Sequence, residues 1–163
     1  MKLKLEPDLC YLAGLTSSSN EKNNAVGIVT SINAIEERFV KIAIGLGVEP
    51  SKIAVEEMAT GRHVYFFHSM IARMLKRINE RSSRLFKMRN ELAASYVAGM
   101  FDGSGRIENG SIKIRKLSTS DRLVLEQMGV HAVESRIMNI SSLLEFVGKR
   151  SIIADRVRRL AGA

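Results

Sequence analysis

A ten-residue pattern occurs twice in this chain and limits the folds it can adopt. It reads YLAGLTSSSN at residues 11–20 and returns as YVAGMFDGSG at residues 96–105. The copies share a tyrosine, an alanine, a glycine and a late serine, at Tyr11/Tyr96, Ala13/Ala98, Gly14/Gly99 and Ser19/Ser104. A chain of 163 residues can form one domain or two small halves that share a core. The repeat therefore predicts an internal duplication, with halves at residues 1–88 and 89–163.

The composition narrows the class of protein and of partner. The chain is 45% hydrophobic and 26% charged, which is typical of globular proteins. No apolar run approaches the roughly 18 residues of a membrane span, and the first residues lack a signal peptide's apolar region, so we expect a cytoplasmic protein without membrane contact. The single cysteine, Cys10, has no partner for an internal disulfide. The net charge of +8 favours a polyanionic partner.

The apolar spacing predicts the same order of elements in both halves: helix, strands, helix, strands, helix. In the first half we expect helices near residues 7–15, 33–47 and, as one continuous helix, 68–86, with strands at 25–31, 52–58 and 62–67. In the second half we expect helices near 90–103 and 119–128 and one or two within 141–160, with strands at 106–109, 111–117 and within 131–140. Asn109-Gly110 is a strong hairpin signal. Residues 20–24 are too few and too polar for a matching strand in the first half. The expected class is α+β.

The two copies resemble the LAGLIDADG motif of homing endonucleases, in the single-chain form that carries two motifs. LAGL at residues 12–15 is the literal opening of that motif, and VAGMFDGSG at residues 97–105 agrees at most positions. The resemblance implies two motif helices packed side by side on a pseudo-twofold axis beneath a saddle of strands. Their interface would be formed by Ala13, Gly14, Ala98 and Gly99, because glycine has no Cβ to hold two backbones apart.

In that family the motif ends in an acidic residue that holds divalent metal ions beside the DNA backbone. The matching positions here are Ser19 and Ser104. A serine hydroxyl is neutral and is a poor ligand for Mg²⁺, which carboxylates normally anchor. Glu21 and Glu108 are nearby carboxylates that could replace the lost acids, whereas Asp102 is expected to cap or brace the helix end. The resemblance thus implies a retained fold without cleavage, with no metal or other cofactor unless Mg²⁺ serves a surviving nuclease.

The resemblance also implies that the concave sheet faces contact nucleic acid in the major groove. In SIKIRKL, Ile112 and Ile114 are expected to face the core, which turns the polar residues between them outward. The full candidate set for nucleic-acid contact is Arg62, His63, Arg106, Ser111, Lys113, Arg115, Lys116 and Arg136. The strand with Glu56 and Glu57 makes the first sheet less suitable.

A second basic surface competes with the sheets. Positive side chains crowd the helix after the first sheet and the C-terminal helices, at Arg73, Lys76, Arg77, Arg81, Arg84, Lys87, Arg89, Lys149, Arg150, Arg156, Arg158 and Arg159. Such a run is most often a solvated helix face, but it can also contact nucleic acid that flanks the saddle. The three histidines have no zinc-ligand spacing. The glycine-rich GLGVEP ends a helix, so it does not predict a phosphate loop.

Several functions are open at this point. The preferred hypothesis is a non-catalytic nucleic-acid-binding protein of LAGLIDADG fold, monomeric with an internal pseudo-dimer. Double-stranded DNA is the first expected partner and RNA the second. The alternatives are a site-specific DNA endonuclease with displaced acids, an RNA-splicing maturase and a protein-interaction scaffold.

Overall fold

The computed structural model describes residues 3–19, 21–109 and 111–162, with side chains as far as residue 159. Asn20, at the end of the first motif copy, and Gly110, in the expected hairpin turn, lie outside the described residues. The helices are α1 (Pro7–Thr16), α2 (Asn33–Gly45), α3 (Ser69–Glu80), α4 (Ser82–Leu85), α5 (Glu91–Ser104), α6 (Thr119–Gln127), α7 (Ile140–Val147) and α8 (Ile152–Gly162), with a 3-10 turn at Pro50–Lys52. The strands are β1 (Ala25–Thr30), β2 (Ala54–Met58), β3 (Gly61–Phe67), β4 (Gly105–Glu108), β5 (Ser111–Ile114), β6 (Ala132–Val133) and β7 (Arg136–Ile137).

The two motif helices, α1 and α5, are buried and pack directly against each other. A Cβ built on Gly14 would lie 2.0 Å from the carbonyl oxygen of Tyr96, and one on Gly99 would lie 2.0 Å from the carbonyl oxygen of Tyr11. Gly103 is a third such position, where a Cβ would lie 2.2 Å from a carbonyl oxygen of α1. Since a side chain at these positions would run into backbone, the helices can approach this closely only with glycine there.

Each half adds an antiparallel sheet to this helix pair. The strand order is β1-β3-β2 in the first sheet and β4-β5-β7-β6 in the second. In the first sheet Val64 and Phe66 are buried, and Phe66 packs on Phe39 of α2 with ring centroids 5.7 Å apart. In the second sheet Ile112 and Ile114 are buried. The α+β prediction is confirmed, with helices covering one face of each sheet and the other face left open.

The expected continuous helix over residues 68–86 is wrong, because the chain turns between α3 and α4. Arg81 has left the helical conformation, with φ −112° and ψ 13°. The next residue, Ser82, is fully buried, and its hydroxyl lies 2.7 Å from that of Ser120 in α6. The turn therefore docks α4 against the C-terminal half. The predicted boundary at residues 88 and 89 falls between α4 and α5, and it stays a prediction.

The basic strand of the second hairpin is shorter than expected. β5 ends at Ile114, not at Leu117, because Lys116 adopts a left-handed turn with φ 54° and the N–H of Arg115 donates to the carbonyl oxygen of Ser104. The turn carries Arg115 and Lys116 off the sheet and towards the end of α5. Among the described helices, none is long and apolar enough to cross a membrane.

Candidate nucleic-acid interface

Three basic side chains form a row across the open face of the C-terminal sheet. Arg106 on β4 is directly opposite Lys113 on β5, and Lys113 is directly opposite Arg136 on β7. All three are exposed, because the strand pleat turns the neighbouring Ile112 and Ile137 into the core. We call Arg106, Lys113 and Arg136 the cationic row.

The cationic row carries a cost for the fold. Within the described residues no carboxylate lies in ion-pair distance of any member. Like charges directly opposite one another on neighbouring strands destabilise a sheet. A polyanion laid across the row would relieve that repulsion.

A cleft of about 650 Å³ lies between the two sheets, above the ends of the motif helices. It is bordered by the two serines of the motif and by acidic and basic side chains from both halves, namely Ser19, Ser104, Glu21, His63, Arg106, Arg115 and Lys116. We call it the central cleft. Arg115 and Lys116 reach it through the turn after β5, so these predicted residues join the cationic row at its inner end. Ser111 instead donates its hydroxyl to the carbonyl oxygen of Glu108 at 2.9 Å and holds the hairpin.

The open face of the N-terminal sheet has a different chemistry. His63, Tyr65 and Phe67 alternate with the buried Val64 and Phe66 and therefore stand together on this face. The His63 and Tyr65 rings are stacked with centroids 4.5 Å apart, and Tyr65 and Phe67 meet edge to face at 5.8 Å. We call these three residues the aromatic ladder. Tyr65 and Phe67 are not among the residues predicted from the sequence, although the alternation in RHVYFF is a signal that could have revealed them.

Two carboxylates flank the aromatic ladder. Glu21 Oε1 lies 2.6 Å from His63 Nε2, and Glu56 Oε2 lies 3.9 Å from His63 Nδ1. Tyr65 donates its hydroxyl to Glu56 at 2.8 Å, and this hydrogen bond is the main reason that the pKa of Tyr65 is raised. The open-face positions of β1, β2 and β3 carry no lysine or arginine.

Arg62, a predicted contact residue, lies on the other side of the N-terminal sheet. Because it precedes Val64 and Phe66 by an even number of residues, its side chain points to the same side of the sheet as theirs. Its guanidinium pairs with Glu36 of α2 at 2.5 Å and donates to Asn33 at 3.2 Å. Arg62 and His63 are neighbours on one strand, so only His63 is turned to the open face.

The predicted acid positions hold no carboxylate, and the substitutes differ in placement. Ser104 is the last residue of α5 and donates its hydroxyl back to the carbonyl oxygen of Met100 at 2.9 Å. Ser19 lies beyond the end of α1 and borders the central cleft. Glu21 borders the same cleft, held by His63, whereas Glu108 ends β4 and is not part of the cleft lining.

Asp102 is buried and fully engaged in the structure. Its carboxylate accepts hydrogen bonds from the Tyr11 hydroxyl at 2.7 Å and the Ser151 hydroxyl at 2.6 Å, and from the N–H groups of Ile152 and Ile153 at 2.9 and 3.0 Å. Burial, and next the charge of Asp102, raise the pKa of Tyr11. Asp102 thus braces the start of α8, where a carboxylate is favoured by the helix dipole, and not its own helix end.

These contacts do not fit the metal site that the sequence resemblance implies. Magnesium at a phosphate needs one or two free carboxylates. The matching positions are serines, Asp102 is surrounded by four donors, and Glu21 is paired with a histidine. Within the part of the chain that is described, no three His, Cys, Asp or Glu side chains come together as a metal-binding group.

The competing basic surface lies on α3 and α4. Arg73, Lys76, Arg77, Arg81 and Arg84 are exposed, and the one ion pair found among them in the described residues is the 3.9 Å contact of Lys76 with Glu80. Arg73 and Lys76 border a groove of about 490 Å³ that also touches Ser19 and Glu21. The C-terminal arginines are partly neutralised, since Arg150 pairs with Glu91 and Arg159 pairs with Asp155. Sheet and helix surfaces therefore both remain available to a polyanion.

Solved structures of the homing endonuclease I-DmoI share the fold of this chain. A structure from work on mesophilic variants of I-DmoI superposes with a TM-score of 0.69, covering 94% of this chain and 97% of that chain at 14% identity. I-DmoI in complex with DNA and Ca gives a TM-score of 0.68, with 96% and 98% covered at 13% identity. The chain has the LAGLIDADG fold. With DNA and Mn, I-DmoI gives a TM-score of 0.62, with 88% and 96% covered at 16% identity.

The sequence of this chain is also similar to that of a protein that is not named as a homing endonuclease. No family model matches the chain. The B subunit of the A-type ATP synthase of Methanopyrus kandleri is 31% identical over 137 residues, which cover 77% of this chain and 13% of that protein. This chain therefore spans only a small part of the length of that protein.

Proposed function

We propose that this chain is a monomeric nucleic-acid-binding protein of LAGLIDADG fold that does not cut its target. The cationic row is the observation that carries the proposal. It places three positive side chains side by side on an open sheet face, none of them ion-paired within the described residues. Such a row of cations suits the phosphate groups of a nucleic-acid backbone.

Double-stranded DNA is the partner that we propose for the C-terminal sheet. A two-stranded ribbon fits the major groove of B-DNA, and arginine and lysine there contact both phosphates and guanine edges. The support is the exposed hairpin β4–β5, which carries Arg106 and Lys113, and the fold similarity to I-DmoI, whose solved structures contain DNA.

The absence of cleavage is the second part of the proposal. Its support is the set of residues at the helix ends: the two acid positions hold serines, and the neighbouring acid Asp102 is used to hold α8. An endonuclease with displaced acids is the second candidate, because Glu21 borders the central cleft beside Ser19.

The name of the Methanopyrus relative does not change the proposal. The match spans 13% of that protein, so the name refers to a much longer chain than the matched segment. In this chain the glycine-rich turn after α2 follows a helix C-terminus, with Gly47 at φ +95°. Phosphate loops need the N–H groups of a helix N-terminus, so this turn does not support a nucleotide site.

Binding across a salt series tests the proposal and locates the surface. We expect the wild-type protein to bind duplex DNA with an affinity that falls steeply between about 50 and 200 mM salt. Lys113→Ala with Arg136→Ala should weaken binding and flatten sequence preference, by about 1–3 kcal/mol for each base contact removed. Lys76→Ala with Arg77→Ala is the matched control, since it also removes one lysine and one arginine.

The outcomes of that series separate the alternatives. Full binding by the sheet variant and loss of binding by the helix variant would move the interface to α3. Preference for structured RNA over duplex DNA would favour the maturase hypothesis. Failure to bind either polymer at low salt would overturn the proposal and leave the protein-interaction scaffold.

Cleavage is tested on supercoiled plasmid libraries with Mg²⁺ or Mn²⁺. We expect no cutting, because the helix ends lack free carboxylates. Specific cutting that Glu21→Gln abolishes would establish the displaced-acid endonuclease. Glu108→Gln is the control carboxylate outside the central cleft.

A further inference from the structure

The aromatic ladder is an exposed apolar surface next to the proposed nucleic-acid interface. Phe67 is 60% exposed, and Val29 and Met58 on the same face are 46% and 49% exposed. The three rings of the ladder lie in a line on the open face of β3, and not on its buried face. Exposed apolar groups that lie together mark a binding surface more often than isolated ones do.

The ladder is continuous with the proposed nucleic-acid interface. His63, Val29 and Met58 border the central cleft, whose other side holds Arg106, Arg115 and Lys116. A strand that follows the cationic row across the cleft would therefore arrive directly on the aromatic ladder. The same ligand would meet cations in one half and rings in the other.

The carboxylates on this face decide which part of the ligand can lie there. Glu21 and Glu56 lie 2.6 and 3.9 Å from the ring nitrogens of His63, and they would repel phosphate groups. Carboxylates do accept hydrogen bonds from base amino groups, such as N4 of cytosine. The face is therefore suited to the base edges and ring faces of a nucleic acid, and unsuited to its backbone.

The ring geometry points to unpaired bases. Bases in a duplex are stacked on one another, so a side-chain ring cannot reach their faces, whereas single-stranded bases stack readily on aromatic side chains. The stacked His63 and Tyr65, with planes 23° apart, form the beginning of such a stack, and Phe67, which meets Tyr65 edge to face, adds a further exposed ring on the same strand. Resting on the proposed function, we propose that the N-terminal sheet binds unpaired nucleotides, so that the preferred ligand has a duplex on the C-terminal sheet and a single strand on the aromatic ladder.

Matched probes test this inference with the full chain. The probes are a blunt DNA duplex, the same duplex with a short single-stranded overhang of DNA or of RNA, and the same duplex with an overhang of abasic nucleotides. The abasic overhang keeps the phosphates and removes the bases. We expect a base-bearing overhang to tighten binding about tenfold or more, and the abasic overhang to add nothing. A 2-aminopurine base in the overhang should lose fluorescence on binding, because it stacks on a ring.

Matched variants locate the effect on the ladder. Tyr65→Leu with Phe67→Leu keeps apolar side chains and removes the ring that stacks on His63 and its neighbour, so it should abolish the gain from the overhang and leave blunt-duplex affinity unchanged. Tyr65→Phe keeps the ring and should keep the gain. Lys113→Ala with Arg136→Ala should weaken binding of every probe, because the cations hold the shared duplex.

Each contrary result has a separate meaning. Equal affinity for blunt and overhang probes would overturn the inference and leave the proposed function intact. An equal gain from the abasic overhang, or a gain that survives Tyr65→Leu with Phe67→Leu, would also overturn it, because phosphates or another surface would then be responsible. Failure of the wild-type protein to bind any probe would instead overturn the proposed function.

Discussion

The sheet β1-β3-β2 and the sheet β4-β5-β7-β6 turn similar faces to the helices and different faces to solvent. Inside, Val26 and Ile28 of β1 correspond to Ile112 and Ile114 of β5, and all four are buried. Outside, β3 carries the aromatic ladder, whereas the other sheet carries the cationic row. A duplicated fold keeps its inner faces alike because close packing penalises changes of volume there. The open faces are free of that constraint, so they show where the function of the two halves differs.

Both sheets are held by one helix pair, and the glycines of that pair give the largest expected effect. Gly14→Leu or Gly99→Leu would drive a side chain into a backbone carbonyl oxygen that lies 2.0 Å from the Cβ position. Backbone cannot yield as a flexible side chain can, so we expect a loss of about 3 kcal/mol or more in the free energy of unfolding. Thermal melting should show a fall in Tm of roughly 6–12 °C.

Gly45→Leu is the control for the glycine variants. Gly45 is the last residue of α2, and a Cβ there would meet no atom within 4 Å in the described structure. Its melting should stay close to wild type. If Gly14→Leu melts like Gly45→Leu, the helix pair does not join the halves and the two sheets lose their common frame.

The sequence predicted the elements that depend on a strong local pattern. The motif copies gave the helix pair, and the alternation in SIKIRKL correctly turned Lys113 outward and Ile112 inward. In the strand, the alternation reports directly which face is buried. The motif helices are buried at every position from Leu9 to Leu15 and from Ala93 to Asp102, and it was the repeat that revealed them. Apolar periodicity also predicts the other helices and most of the strands.

The remaining features depend on contacts between segments far apart in the chain. The break at Arg81 arises because Ser82 docks on Ser120, and no local signal marks it. The cationic row required the register of β7 against β5, which sets Arg136 opposite Lys113. The role of Asp102 required the position of α8, which begins at Ile152. Composition showed an excess of positive charge but not which side chains would lie together.

Glu56→Lys would place a positive charge on the open face of the N-terminal sheet and make it more like the open face of the C-terminal sheet. We expect its effect on DNA binding to be of intermediate size. Glu56 lies opposite His63 on the open face and is 61% exposed as a side chain. We expect tighter binding of duplex DNA and a salt dependence that steepens by about one unit of slope, the amount of one added phosphate contact. The measurement is the affinity for blunt duplex across a salt series.

Glu57→Lys is the matched control, because it makes the same change of charge one residue further along β2. Glu57 lies opposite Arg62, on the helix side of the sheet. It should leave the slope unchanged if the open face is the binding surface. An equal increase in both variants would mean that net charge alone acts, and the contrast between the two sheets would then carry no information about binding.

The smallest expected effect is a change in the titration of Tyr65, which reports on the ladder alone. The chain has three tyrosines, and Tyr11 and Tyr96 are buried with their pKa raised chiefly by burial. Tyr65 should therefore be the first to ionise in the folded protein. Its hydrogen bond to Glu56 favours the protonated hydroxyl and holds its pKa above the ordinary value of about 10. The stability from this contact is present below pH ~10 and is lost as pH rises through the raised pKa.

Tyrosinate absorbance should show the first transition moving to lower pH in Glu56→Ala and not in Glu57→Ala. A transition that ignores Glu56→Ala would show that the carboxylate does not hold the ladder, and Glu56 would lose its place in the base-binding face.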